Sequence, residues 1–448
     1  MQMKRFKKIY GALLVVGGAV LILTAGISPC CLAAVTEKEL KNWPEQSYQG
    51  EELKKVREWE KTWAGKKINQ DNIDQVKDFM SDQFYNIFKN PQDWGTDELW
   101  FTIVPYQQIL PTTGQIAATK KHSPTSRFDP NPRKAYWTGE VAPNEYLVGW
   151  EKGDIAGFPF PFPKSGLEIA WNLESVTRGD TKSYDRVGVV VNPRTRAERR
   201  SVSPYIMEYF TGRVDVPPIP KKPKNPKGLR RGEFMEIVEP LDVQGLRYIE
   251  LRYLDVTRGE DIWIWYPNFR RIRRMGVSYK ADTIDGTDLC PNDNFGWNGH
   301  VNEKNWEIVG RKEMLVGRHT DTSKYTKKKG QAVWSGQQLE RVNTYVLETI
   351  WKDPNATYSK EILYMDPEMW RCMQKVGWDR QGRVWRQFFF NTEIVTSKQG
   401  IVQPHNFEFY NCDIQRRHGC PSIDKVTEIG LEIPNRFWTI QNLQKLGY

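Results

Sequence analysis

Tyr248-Ile249-Glu250-Leu251-Arg252-Tyr253-Leu254 alternates apolar and charged side chains along its length. Successive side chains of a strand leave on opposite faces, so Ile249, Leu251 and Tyr253 share one face and Glu250 and Arg252 the other. A turn over 255–259 follows, and 262–273 returns as a strand. The same reading gives strands at 306–316, 341–351, 361–365, 370–378 and 383–393, and a shorter pair at 186–191 and 196–202 that turns at Asn192-Pro193. The connections are short, which predicts an antiparallel meander.

A three-part pattern recurs along this meander. Tyr253-Leu254-Asp255 leads to Trp263, Tyr364-Met365-Asp366 to Trp370, and Trp378-Asp379 to Trp385. Each unit places an Asp at a strand end, where its carboxylate can accept the amides of the next turn. In 341–351, Tyr345, Leu347 and Trp351 fall on one face and Val342, Val346 and Ile350 on the other. Both faces are apolar, so both need a cover: helices, a second sheet or a hydrophobic cargo.

Two helices are expected within 35–95. Leu53, Val56, Trp59 and Trp63 recur on one helical face before Gly65. Ile73, Val76, Phe79, Met80, Phe84 and Ile87 recur in a second run, opened by Asn72 and Gln75 as a capping box and ended by Pro91. From 95 to 235 the chain reads as irregular. There Gly157-Phe158-Pro159-Phe160-Pro161-Phe162-Pro163 must be extended, since alternating prolines fix φ and remove amide donors. It is expected to lay three Phe rings along one surface. A Pro- and Lys-rich stretch near 214–230 reads as a surface loop or insertion.

The first residues read as a secretory signal: Lys4, Arg5, Lys7 and Lys8 precede an apolar run over 11–27, and Cys31, Ala33 and Ala34 suit cleavage, giving 1–34 as signal peptide and 35–448 as one domain. A retained anchor competes, although that run is short of the roughly 20 residues a span needs. An acylated Cys30 or Cys31 is the other option, disfavoured by Pro29 and Cys30. Export places the protein in the periplasm, with association at the outer membrane left open, and there nucleic acid is no natural ligand; losing four cations lowers the net charge from +10 to about +6. In that compartment the even count of Cys290, Cys372, Cys412 and Cys420 suggests disulfides, with Cys412–Cys420 and Cys290–Cys372 the preferred pairing.

Chemistry is sparse. No nucleophile elbow, phosphate loop, dinucleotide fingerprint or His-Glu-x-x-His occurs, and His122, His300, His319, His405 and His418 are scattered. No catalytic residue, cofactor or metal is assigned, and the expectation is a protein that is not an enzyme. Asp282, Asp285, Asp288 and Asp293 form an oxygen-rich loop that could hold calcium, serve as a carboxylate pair for glycan hydrolysis, or simply turn. Arg270, Arg271, Arg273 and Arg274 are a solvated strand end or a contact for lipid headgroups or an acidic partner.

Trp306-Glu307-Ile308-Val309-Gly310-Arg311-Lys312-Glu313-Met314 after Asn298-Gly299, the Phe158–Gly166 run, the Asp-ended strand pairs above and Asp379-Arg380-Gln381-Gly382 carry a likeness. Over roughly 60–440 the chain resembles a proteobacterial family of unknown function, known as outer-membrane lipoprotein-sorting proteins and similar to the LolA and LolB carriers. The resemblance implies a mainly β fold, a large unclosed antiparallel β-barrel with covering helices around an apolar cavity. It implies a lipid or other hydrophobic ligand, an inner-membrane exporter of the resistance-nodulation-division type and an outer-membrane protein as partners. The chain departs from simple LolA-like carriers in its length, its four cysteines and its Pro-Lys loop. The expectation is a periplasmic carrier or docking protein lined by Phe158, Phe160, Phe162, Tyr253, Trp263, Trp265, Tyr345, Trp351, Trp370 and Trp385. The alternatives are an outer-membrane interaction protein without a small ligand, and a carboxylate-dependent glycan hydrolase.

Overall fold

The computed structural model describes residues 35–44, 46–137, 140–283 and 287–445; the signal-peptide reading and Asp285 lie outside them. Its strands are β1 (Lys67–Ile68), β2 (Phe101–Ile103), β3 (Arg133–Lys134), β4 (Glu140–Val141), β5 (Thr181–Asn192), β6 (Ala197–Tyr209), β7 (Leu229–Glu236), β8 (Arg247–Tyr253), β9 (Asp261–Tyr266), β10 (Arg271–Met275), β11 (Lys304–Val316), β12 (Gln337–Trp351), β13 (Lys360–Asp366), β14 (Arg371–Trp378), β15 (Val384–Thr396), β16 (Val402–Asp413) and β17 (His418–Ile429). Its helices are α1 (Glu37–Leu40), α2 (Gly50–Trp63), α3 (Asp82–Lys89), α4 (Thr113–His122), α5 (Gly166–Ser175) and α6 (Ile440–Lys445).

Two meanders share one sheet. β5 to β10 run one way and β11 to β17 the other, and β17 pairs with β5 in the middle, from Gly419 opposite Val191 to Ile429 opposite Lys182. The fifteen strands are antiparallel except where β2 lies parallel to β12. β10 pairs only with β9 and β11 only with β12 among the described residues, so the sheet is not closed. The aspartates of the recurring pattern act as expected. Asp255 accepts from Thr257 N, Asp366 from Glu368 N and Met369 N, and Asp379 from Gln381 N and Arg383 N, at 2.8–2.9 Å.

Several elements differ from the sequence reading. Residues 262–273 are two strands, β9 and β10, because Pro267 opens a turn that Arg270 closes in the left-handed region. The stripe 73–87 is likewise broken: a 3-10 turn over Ile73–Phe79 ends at an extended Met80, and α3 restarts with Ser81 as its cap. Asn72 makes no side-chain cap bond. Ser81 Oγ accepts from Phe84 N and donates to Gln374 at 2.8 Å, so the break lets one residue cap a helix and satisfy a buried strand. β16 and β17, and within 95–235 the strand β7 and the helices α4 and α5, lie beyond the strands and helices that the sequence reading gives.

Both faces of the sheet are covered by the chain itself. On one face Phe389, Phe407 and Phe409 pack against Ile73, Val76, Phe84 and Phe88, with Phe84 stacked on Phe389 at 4.8 Å. On the other, Leu347, Leu363, Cys372 and Phe388 meet Ile169 and Leu173 of α5 together with Leu289 and Trp297. These last two belong to the crossover 276–303, which joins the free edge β10 to the free edge β11. Asp293 on the crossover accepts from Lys375 of β14 at 2.5 Å and Cys290 Sγ accepts from Arg386 of β15. Toward the other arm, Asn298 accepts from Arg231 of β7, and Gly299 O from Arg252 of β8. Gly296 has φ +87°, and a Cβ there would lie 2.3 Å from Cys372 Cβ, so the crossover can approach β14 only as glycine.

The four cysteines are buried free thiols, not the expected disulfides. The register explains one pair: Cys412 lies opposite Gly419 and Cys420 opposite Asn411. A one-residue offset sends the two sulfurs to opposite faces, which loop length alone does not reveal. Cys372 donates to Gln374 O while Cys290 donates to Ala281 O.

Candidate functional site

The expected aromatic lining does not form one groove. Phe158, Phe162, Tyr345, Trp351 and Trp370 belong to the cluster under α5, Phe160 to a separate cluster with Trp150 and Trp171, and Tyr253, Trp263 and Trp265 to a third beneath Trp438 and Leu443. Trp385 lies beside Tyr358 and donates to Asp413. The Phe-Pro run is extended, but its amides decide where the rings go. Phe158 N donates to Thr119 Oγ1 and Phe160 N to Asn172 Oδ1, while Asn172 Nδ2 returns a bond to Phe160 O. Buried amides must find partners, and these two partners on α4 and α5 turn the rings into different cores. The aspartate loop is similarly dispersed. Asp288 bonds His418 at 2.6 Å and Asp293 bonds Lys375, so neither carboxylate faces the other's partner. The Arg270–Arg274 run lies along the free edge β10, where exposed cations oppose edge-to-edge pairing.

An open cleft of about 800 Å³ lies instead where four loops meet at one end of the sheet. Its walls are 108–114, Val214 and Asp215, His319 with Ile394, and the β15–β16 hairpin 399–404. Leu110 is 55% and Val402 54% exposed on it, and Ile109, Val214, Ile394 and Ile401 continue the apolar surface between them. A narrower recess of about 30 Å³ shares Ile109, Leu110, Pro111, Thr112, Asp215, Gln403 and Pro404 with the cleft and adds Gln115, Phe158, Val176, Thr177, Glu368, Met369 and Arg371. Phe158 is thus the one expected aromatic that reaches this site.

Buried charges hold the walls. Arg318 is fully buried and pairs with Asp366, Glu368 and Glu340. Burial by itself would weaken its proton affinity, but the three carboxylates raise it well above the ordinary arginine range. Glu368 also accepts from Ile109 N at 2.8 Å, Ser47 N at 2.7 Å and Tyr106 OH, and Arg318 donates to Gln107 O. This buried ionic node therefore holds Gln107 and Ile109 of the 104–111 wall, while Glu60 accepts from Tyr106 N. Opposite it, Asp180 Oδ2 accepts from Val214, Asp215 and Val216 N at 2.7–2.9 Å. Arg213 donates to Val216 O, Pro217 O and Pro218 O, anchoring the base of the Pro-Lys loop. Burial pushes Asp215 up to about 6. On the hairpin, Ser397 Oγ accepts from Gln399 N and Ile401 N.

Behind the recess four basic side chains converge from α5–β5, β5, β14 and β16: Arg178, Lys182, Arg371 and His405. All are 5% exposed or less. Arg178 donates to Tyr209 OH at 3.0 Å, Arg371 to Pro404 O at 2.9 Å, and Lys182 to His405 Nδ1 at 3.1 Å. None of the three cations pairs with a carboxylate within 4.0 Å among the described residues. Burial, then Arg178, lowers Arg371 to about 9; burial, then Arg371 and Arg178, pulls Lys182 well down. Neither the hairpin 399–404 nor this cluster carries a local sequence signal; the residues are separated by up to more than two hundred positions and meet only through strand pairing.

An unclosed, mainly β sheet with covering helices is the architecture that the Trp306–Met314 and Phe-Pro runs implied. The chain belongs to DUF1329, a family of proteins of unknown function, whose pattern matches residues 67–444. It is 25% identical over 350 residues to the uncharacterized protein PA3922 of Pseudomonas aeruginosa, spanning 74% of this chain and 70% of that one. Among solved structures it overlaps a DUF1329 protein of Desulfovibrio piger (14% identity, TM-score 0.44, 62% of this chain and 97% of the other). It also overlaps a domain described as outer-membrane lipoprotein-sorting from Vibrio parahaemolyticus (14%, 0.42, 62% and 98%) and the LolA superfamily protein NE2245 of Nitrosomonas europaea (11%, 0.39, 62% and 100%). No described helix is long and apolar enough to cross a membrane.

Proposed function

We propose that residues 35–448 act as one unit, a periplasmic carrier or docking protein that holds the apolar part of an amphiphile in the cleft beside α4. The observation that carries this reading is the apolar wall from Leu110 to Val402, exposed on both rims of a cleft of about 800 Å³. Scattered exposed apolar residues are ordinary, but a continuous apolar wall in a cavity of this size suits a ligand. At about 0.8 kcal/mol per buried methylene, a segment of about ten carbons would gain roughly 8 kcal/mol before the costs of association. Few specific contacts are then needed, consistent with a site that has no motif. The proposed partners are an inner-membrane resistance-nodulation-division exporter and an outer-membrane protein, by the family resemblance and the signal-like front end.

Native mass spectrometry of the protein from its own envelope, with extraction of whatever apolar molecule accompanies it, tests the reading. Leu110→Asp and Val402→Asp should abolish retention while leaving the melting temperature unchanged, because both side chains are already exposed. An apo mass that stays unchanged after mixing with envelope lipids would favour the second reading, a docking protein without a small ligand. That reading draws on the crossover 276–303, which fills one face of the sheet with the protein's own side chains.

A further inference from the structure

We infer that the cleft takes an anionic amphiphile, whose carboxylate or phosphate head is received at its floor by Arg371 with Arg178 and Lys182 behind it. This rests on the reading of the cleft as a site for an apolar chain and adds the chemistry of the head.

The argument begins with charge. Arg178, Lys182 and Arg371 are almost wholly buried, and none has a carboxylate partner within 4.0 Å among the described residues. Most other buried cations in this protein are matched, Arg318 by three carboxylates, Lys375 by Asp293 and Glu361, Arg186 by Asp424; Arg213 is instead saturated by backbone carbonyls. A buried cation is kept only when it is neutralised or paired. Lys182 can lose its proton, and its bond to the His405 ring suits that. A guanidinium cannot, so Arg178 and Arg371 stay charged with no carboxylate in contact, Asp366 acting on Arg371 only from farther away.

The unused donors point the same way. Arg178 Nε and Arg371 Nε are buried without a hydrogen-bond partner, as is His405 Nε2; Arg230, Arg252 and Arg386 share this state, but of these arginines Arg371 is the one on the recess. Arg371 lines the recess that opens from the cleft beside Gln403 and Thr177; of the two carboxylates on the same lining, Glu368 is neutralised by Arg318 and Asp215 sits at the mouth. The guanidinium of Arg178 lies 4.1 Å from the Phe295 ring, which fixes its plane without satisfying its charge. Charge-assisted bonds from guanidinium to carboxylate or phosphate are short and oriented, and Arg371, on the recess with a free Nε, is placed to make one, with Arg178 adding charge from behind. The apolar wall from Leu110 to Val402 leads away from this floor toward solvent, so head and chain of a single-chain amphiphile have places in line.

The test compares oleate, oleyl alcohol, acetate and inorganic phosphate by calorimetry on the wild-type protein at neutral pH and low salt. Oleate should bind about tenfold or more tightly than oleyl alcohol, the increment of a charge-assisted bond. Arg371→Gln should reduce oleate to the level of the alcohol, and the melting temperature of the ligand-free variant should hold or rise, since an unpaired charge has been removed. Equal binding of oleate and alcohol would overturn the head-group site and leave the apolar-chain reading standing. Acetate or phosphate binding as tightly as oleate would assign the floor to a free anion and overturn the amphiphile. Failure of all four to bind a folded protein would overturn both readings. The wild-type comparison decides the matter if Arg371→Gln does not fold.

Discussion

Lys375 on β14 donates to Asp293 on the crossover at 2.5 Å, with both groups buried, and so ties the segment that joins edge strands β10 and β11 to the middle of the sheet. Arg386 and Tyr358 face the same carboxylate. Asp293→Asn would leave Lys375 with only Glu361 and is expected to lose about 3–5 kcal/mol of stability in urea unfolding. Combining it with Lys375→Met should recover part of that loss, since the orphaned cation goes too. Strictly additive losses would show that the two side chains do not act as a pair.

Arg318→Met removes the cation shared by Asp366, Glu368 and Glu340. Three buried carboxylates cannot be left uncompensated, so a loss of at least about 4 kcal/mol is expected. Because Glu368 also holds Ile109 N, hydrogen exchange at 104–111 should rise before that of β12 and β15. Uniform acceleration across the sheet would contradict the local role.

Glu408 gives a pH dependence of known sign. Burial pushes its carboxyl up to about 7, and its Oε2 has no partner. The folded protein therefore keeps this proton over pH 4.5–7 while the unfolded chain releases it, and stability falls as pH rises through that window. Glu408→Gln should be more stable than the wild type above pH 7, by about 1–3 kcal/mol in urea unfolding, with the difference vanishing toward pH 4.5. A difference independent of pH would assign the effect to packing instead.

The thiols are open to direct assay. Burial pushes those of Cys290 and Cys372 up to about 12 and holds Cys412 and Cys420 above the ordinary range. Thiol reagents should leave native 35–448 unmodified and titrate four groups after denaturation without reductant. Fewer than four would mean that a disulfide forms.

What the sequence determined by itself is local. The alternation in 248–254, the aspartates that close Tyr253-Leu254-Asp255, Tyr364-Met365-Asp366 and Trp378-Asp379, and the helical face of Leu53, Val56 and Trp59 all depend on neighbours within one or two turns of chain. So their elements were legible one by one. The family, too, was legible from the Val309–Met314 and Phe-Pro runs. Tertiary structure decided the rest, because its causes lie in pairings between distant residues. β17 against β5 brings the ends of two meanders together and leaves β10 and β11 as edges that the crossover must join. The register of β16 on β17 separates Cys412 from Cys420. Thr119 and Asn172 take the amides of the Phe-Pro run and send Phe158 and Phe160 to different cores. The cleft and its cationic floor come from loops and strand ends that no local period links, so only their closure in space places Arg371 behind Leu110 and Val402.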